Sequence, residues 1–282
     1  MSLRSAVVAT VCLQMIVAVG ARSSAQDTTT LPDEPLPRGA KLYVAPMPNG
    51  FDTYVIAGFQ SKEVPVVVLT DRTRADYELT GVSETDKAGW AKTLFTGSTS
   101  SAETASIKIV ELKSGKVVFA YSYHTGNSVR GRQSAGESVA KHIKERMNKA
   151  GGDVEPLAPQ LIPAGAKIFI APMTDGFDDY VKAAFQAKDV PLAIASSREG
   201  ADYEMVGHAE SEKAGAAKIL LKGDLHSSEH ASIVVTDLKT SVVVFSYSVE
   251  KSSSAHGKQS TAEAVAKHLK DGIEHRDAAV VL

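Results

Sequence analysis

The sequence predicts an α/β (mixed α+β) protein built as two tandem copies of one β-α-β-β-β-β-α domain, each a mixed sheet packed with helices. Three observations carry this. Leu36 to Glu145 and Ile162 to Asp271 align without a gap at a fixed offset of 126 positions (165 − 39 for Gly39 and Gly165). Roughly half of the paired positions are identical, far above the chance match of average composition. Within each copy the apolar spacing switches between helical and strand periods in the same order. A repeat this long is a whole domain, not a solenoid unit. The boundaries expected are a signal peptide at 1–25, a Pro-containing spacer at 26–36 and repeat domains at 37–149 and 162–275. A linker at 150–161 and a tail at 276–282 complete the chain.

Each copy opens with a short apolar strand stopped by proline, Lys41 to Pro46 and Lys167 to Pro172. Asn49 or Asp175 then reads as a helix N-cap, with Asp52 or Asp178 three positions on near the first-turn amides. Phe51, Tyr54, Val55 and Phe59, with Phe177, Tyr180, Val181 and Phe185, recur at helical spacing and predict about three turns ending near Lys62. Val64 to Leu69 is a continuous apolar run of the kind found in strands covered on both faces. Arg72 to Ala75 reads as a turn, and Asp76 to Gly81 as a strand with Tyr77 and Leu79 inward. Ala105 to Val110 and Lys116 to Tyr121 form a hairpin around Lys113-Ser114-Gly115, where glycine supplies a positive φ. A final helix from about Gln133 to Met147 carries Ala135, Val139, Ile143 and Met147 on one stripe.

The N-terminus reads as an export signal. Arg4 precedes an apolar stretch from Ala6 to Val19, and small-residue cleavage sites follow Ala21 and Ala25, the second being favoured. The run is shorter than the ~20 residues that cross a bilayer. Cys12, the only cysteine, lies inside it after Val11, a poor context for lipidation, so the mature chain is expected to use no disulfide or thiolate chemistry. A formal net charge of −2 gives no electrostatic case for nucleic acid. The protein is therefore expected in the periplasm or outside the cell, without a stable membrane span. Two Pro-containing arms, Thr30 to Pro37 and Ala150 to Pro163, limit the relative motion of the repeats, which can form an intramolecular pseudo-dimer.

The opening strand ending in Ala45-Pro46-Met47, the strand Ala75-Asp76-Tyr77-Glu78-Leu79-Thr80-Gly81 and the hairpin Val110 to Phe119 resemble a group of bacterial cell-envelope domains. That group includes the N-terminal domain of the Tol-system propeller protein, the curli-secretion lipoprotein and the lipoprotein activators of penicillin-binding proteins. The second copy keeps the hairpin pattern in Thr236-Asp237-Leu238-Lys239-Thr240, with Ser241 where the first copy has Gly115. The resemblance implies a small α/β envelope domain that works by contact with another envelope protein.

Candidate chemistry is sparse. Asp76 with Glu78, and Asp202 with Glu204, set carboxylates two apart on one strand face, a pattern for Mg²⁺ or Ca²⁺ that any half-exposed strand also shows. Gly126 to Arg132 imitates a phosphate loop but ends in Arg132-Gln133 instead of Lys-Ser/Thr, and the copy ending in Lys258 lacks the first glycine. What remains there is an anion-attracting helix start with Arg130 and Arg132, or merely solvated charge. His226 and His230 have the spacing of a zinc pair only if helical, and their segment, Asp224 to Ser232, reads as a polar loop. His142 and His268 read as solvated helix surface. No nucleophile motif, metal-protease motif or triad order is present, so an enzyme is not expected, nor any cofactor. Trp90, facing Ala216 in the other copy, is either a core filler or an exposed anchor. The candidate interaction surface is Trp90, Arg130, Arg132, His256 and Lys258. The function expected is a non-enzymatic, exported interaction or assembly module of the envelope, the alternative being a periplasmic small-ligand or anion-binding protein.

Overall fold

The structure, a computed structural model, describes residues 36–86, 102–125, 131–151, 160–212, 227–253 and 257–280. The first repeat contains β1 (Lys41–Val44), α1 (Phe51–Ser61), β2 (Val67–Leu69), β3 (Tyr77–Asp86), β4 (Ala102–Glu111), β5 (Val117–Thr125) and α2 (Gly131–Gly151). The second repeats the order with β6 (Lys167–Ile170), α3 (Phe177–Ala187), β7 (Ala193–Ile194), β8 (Tyr203–Glu212), β9 (Ser227–Asp237), β10 (Val243–Ser253) and α4 (Gly257–Val280). Each repeat makes one five-stranded mixed sheet, ordered β2-β1-β3-β4-β5 and β10-β9-β8-β6-β7. The β1 strand runs parallel to β2 and β3, whereas β3, β4 and β5 form an antiparallel meander. Parallel neighbours need a crossover, and α1 supplies it between β1 and β2.

The cores follow the helical and strand spacings. Phe51, Val55, Leu42, Leu79, Ile109, Val139 and Ile143 are buried in the first, with Phe177, Val181, Ile168, Met205, Val235, Val265 and Leu269 at the matching positions of the second. Lysines from the last helices close the C-terminal ends of the first ones: Lys144 Nζ donates to the Lys62 carbonyl at 2.7 Å, and Lys270 Nζ to that of Lys188 at 3.0 Å. These bonds satisfy carbonyls that the helix leaves without an internal donor. The two helices of the first repeat cross on glycines. A Cβ on Gly58 would lie 2.6 Å from the Gly136 carbonyl oxygen, and one on Gly136 would lie 2.5 Å from that of Tyr54.

Several expectations change. Asn49 and Asp175 do not cap; they adopt φ 57° and 56° inside a 3-10 turn, and left-handed Gly50 and Gly176 precede the helices. The carboxylates three positions later reach back instead, Asp52 Oδ1 accepting the Met47 amide at 3.0 Å and Asp178 Oδ1 that of Met173 at 3.1 Å. The Val64–Leu69 run contributes only a three-residue edge strand, since Pro65 has no amide to donate. His230 lies in β9 and not in a loop, and His226 is outside the described residues. His268 is exposed and His142 half-buried, and their rings also stack on Tyr247 and Tyr121, both with centroids 4.2 Å apart. Aromatic stacking on the sheet explains why a histidine at this helix position recurs in both copies. The last helix runs on through 276–280.

Candidate interaction surface

In the second repeat β9 is buried on both faces over residues 231–236, and α1 of the first repeat covers the outer face of β9 and β10. Along β9, Ala231, Ile233 and Val235 point into the second core, while Ser232, Val234 and Thr236 point the other way and are equally buried. Val234 is part of the first repeat's core. Alternation in a strand places successive side chains on opposite faces, so one strand serves two cores here.

The seam is polar as well as apolar. Ser232 Oγ donates to Thr53 Oγ1 at 2.5 Å. The Ser246 hydroxyl lies 3.2 Å from the Ile56 carbonyl and 3.0 Å from Gln60 Oε1, and Gln60 Oε1 also accepts the Ser246 amide. Since β10 is an edge strand, this glutamine covers a backbone donor that no strand pairs. The β2 edge is closed in turn by the β9–β10 turn. The Thr70 amide donates to the Ser241 carbonyl at 2.9 Å, and Leu69 bridges to Val242. Gly50 allows His208 of β8 to approach; a Cβ there would stand 2.6 Å from that of His208.

This contact is heterologous: a helix of one repeat meets the sheet of the other, and no two-fold axis relates them. Each half of the seam therefore has an equivalent at an outer end of the chain. The equivalent of α1 is α3, where Asp179, Ala183 and Gln186 are exposed in place of Thr53, Ala57 and Gln60, and Lys182 replaces Ile56. The equivalent sheet face carries half-buried Ser106, Val110 and Ala120, and exposed Lys108 replaces Val234. Lys182 Nζ holds Asp178 Oδ2 at 2.7 Å and Asp179 Oδ1 at 3.2 Å.

The exchange of Ile56 for Lys182 reverses the behaviour of the neighbouring carboxyl. Burial raises Asp52, against the opposing pull of the Met47 amide bond and His208. Burial also pushes Asp178 up, but the Lys182 ammonium and the Met173 amide outweigh it and hold Asp178 below its ordinary range.

Of the residues expected from sequence, Trp90, Arg130 and His256 lie outside the described residues. At one end of the first sheet Asp86 pairs with Ala102 and Glu103 with Thr125, and α2 begins at Gly131. Arg132 is half-buried in the first turn of α2. Lys258, its counterpart in α4, points back to the turn before α3, with Nζ 3.2 Å from the Asp175 carbonyl and 3.6 Å from its carboxylate. The two belong to different repeats. Glu78 is held by Arg72 through two bonds of 2.8 and 3.0 Å, which keep its carboxyl low, and Arg198 holds Glu204 at 3.0 Å. These carboxylates serve as partners of arginine, and no cluster of three or more His, Cys, Asp or Glu occurs among the described residues.

A cavity of about 360 Å³ opens at the opposite end of the first sheet, lined by Arg38, Gly39, Asp76, Tyr77, Glu111 and Lys113 among others. Among the described residues no helix is long and apolar enough to cross a membrane.

No family model and no curated protein matches the sequence. Solved structures similar to part of the chain include the PelC dodecamer from Paraburkholderia phytofirmans, at 16% identity over 40% of this chain and 92% of that one, with a TM-score of 0.30. Protein XCC0632 from Xanthomonas campestris, of family model DUF330, is 14% identical over 44% of this chain and 98% of its own, with a TM-score of 0.29. Hypothetical protein CT253 from Chlamydia trachomatis is 12% identical over 40% of this chain and 95% of its own, with a TM-score of 0.24.

Proposed function

We propose that the chain is an exported, non-enzymatic interaction module of the bacterial cell envelope, related in role to the Tol-propeller, curli-secretion and penicillin-binding-protein-activator domains it resembles. The observation that carries this reading is the seam itself. One copy of the domain binds another through a helix laid on the outer face of a sheet, so the scaffold recognises folded protein with surfaces that the duplication presents twice. On this reading residues 1–25 are removed as a signal peptide without lipidation at Cys12. Repeats 37–149 and 162–275 are then the working units, joined by the 150–161 segment, and the partner is another envelope protein. Trp90, Arg130 and Arg132 are the contact residues of the first repeat on this reading, with His256 and Lys258 as their divergent counterparts.

Capture from an envelope extract with the full chain as bait tests the reading. Trp90→Ala is expected to cost the captured partner about 2 kcal/mol or more of affinity, as hot-spot aromatics do, with the melting temperature barely moved. Loss of stability with capture intact would remove Trp90 from the surface. Intact mass of the exported chain tests maturation, a start near Gln26 being expected and an acylated Cys12 overturning it.

A second reading, a small-ligand or anion-binding protein, is favoured by the cavity near Arg38 and Lys113, whose volume of about 360 Å³ lies at the lower end of the range of ligand sites. Titration with small anions such as phosphate, read by calorimetry on the wild type and Lys113→Ala, separates the two readings.

A further inference from the structure

We infer that copies of this chain associate head to tail, α3 of one copy docking on the outer face of the first sheet of the next and repeating the geometry of the internal seam. The inference deepens the interaction-module reading and rests on it, naming a second copy of the chain as a partner. Continuity is the first argument. A heterologous contact leaves one unused half at each end, and the same fold at each end offers the same shape. In the continued seam Asp179 would meet Ser106 as Thr53 meets Ser232, and Gln186 would cover the Ala120 amide of edge strand β5 as Gln60 covers that of Ser246.

Exposed apolar side chains give the second argument. Tyr180 is 43% exposed although its equivalent Tyr54 is 2% exposed, and Ile194 is 39% exposed against 8% for Val68. Val117 is 37% exposed, while its equivalent Val243 packs against the first repeat's core. These are three of the five exposed large hydrophobics among the described residues, and they lie on the elements equivalent to α1, β2 and β10. A lone exposed apolar residue needs no explanation, but a set placed by pseudo-symmetry on two complementary faces does.

Charge gives the third argument. Where the internal seam has Thr53 and Val234, the ends have Asp179 and Lys108. Lys108 stands two positions from Ser106 on the same strand face, within a lysine's reach of a carboxylate facing that serine, which it would share with Lys182, 3.2 Å from Asp179 within α3. The end-to-end contact thus trades a buried valine for a lysine and carboxylate of opposite sign, which favours orientation and reversibility over permanence.

Sedimentation velocity on the purified full chain over a wide concentration range tests this. Species larger than a dimer are expected, growing with concentration. Lys108→Glu and Ala183→Arg, at opposite ends and both on exposed side chains, should each cut assembly to the monomer with unchanged melting. Their equimolar mixture should form a discrete dimer, because each variant keeps one intact end. A monomer at every concentration, or a dimer that neither variant disrupts, overturns the inference, as does a mixture that stays monomeric. If Lys108→Glu melts early, Ser122→Arg blocks the same face. Capture of an envelope partner by an end-blocked monomer would leave the interaction-module reading standing while self-association failed.

Discussion

The hydroxyl of Ser232 donates to that of Thr53 at 2.5 Å, across a boundary between two copies of one domain and 179 positions apart in sequence. Both groups are buried, Ser232 fully. Removing the Thr53 hydroxyl takes a partner from Ser232 and from the Gly50 carbonyl, to which Thr53 Oγ1 donates at 2.7 Å, whereas removing the Ser232 hydroxyl costs Thr53 only the bond it accepts. Thr53→Val and Ser232→Ala are each expected to destabilise the chain by about 1–3 kcal/mol. The double variant should cost less than the sum of the two. Chemical denaturation of the four proteins in a double-mutant cycle measures the coupling, and strict additivity would show that the hydroxyls do not work as a pair.

Gly58 and Gly136 let α1 and α2 approach backbone to backbone, while Ala184 and Ala262 stand at the equivalent places in the second repeat. Gly58→Ala gains helix propensity but drives a methyl group to 2.6 Å from a carbonyl oxygen that cannot rotate away. The expected net effect is a loss of about 1–3 kcal/mol from overpacking. Ala184→Gly removes a buried methyl and adds helical flexibility, so it should also destabilise. A rise in melting temperature for Gly58→Ala would mean that the helices separate without cost.

The elements were legible because each was written twice: Phe51 to Phe59 and Phe177 to Phe185 carry one helical pattern, and the hairpins share one strand pattern. The seam was not legible, because Ile56 and Val234 lie in apolar stretches of their own copies and stand out in neither. Their signal was the comparison between copies, where Ile56 faces Lys182 and Val234 faces Lys108. An apolar residue in one copy against a lysine in the other marks a position whose burial comes from outside the domain. Asn49 misled for a different reason. Asparagine favours caps and left-handed turns alike, and Gly50 decides for the turn. His142 misled because a helix position beside lysines says nothing of the tyrosine across the sheet.

Asp52 and Asp178 should give opposite pH dependences. The folded pKa of Asp52 is raised by burial, so the folded state holds this proton more tightly than the unfolded chain does. Its contribution is full at low pH and is lost as pH rises from the ordinary 3.8 through the higher folded value. Asp178 is lowered by Lys182 and the Met173 amide despite burial, so its contribution is present above 3.8 and is lost as pH falls through the lower folded value. Asp52→Asn keeps an oxygen for the Met47 amide and should raise stability at neutral pH relative to low pH. Asp178→Asn should lower it. Thermal melts from pH 3 to pH 7 decide, and parallel curves for the two variants would contradict the assignment.

Ser241 sits at φ 61°, where the first repeat has Gly115 at φ 70°. A side chain disfavours the left-handed region by about 1–2 kcal/mol, so the turn of the second repeat is strained while that of the first is not. Ser241 nevertheless works through its backbone, its carbonyl accepting both the amide and, at 3.3 Å, the hydroxyl of Thr70. Glycine can keep that carbonyl in place. Ser241→Gly is therefore expected to stabilise the chain, the relief being partly offset by the roughly 0.5–1 kcal/mol of extra chain entropy that glycine loses on folding. Gly115→Ala, at the unstrained equivalent, should destabilise by about 1 kcal/mol or more. Equilibrium unfolding of both variants measures the pair. If Ser241→Gly instead loses stability, the serine side chain itself would be holding the turn that closes the β2 edge.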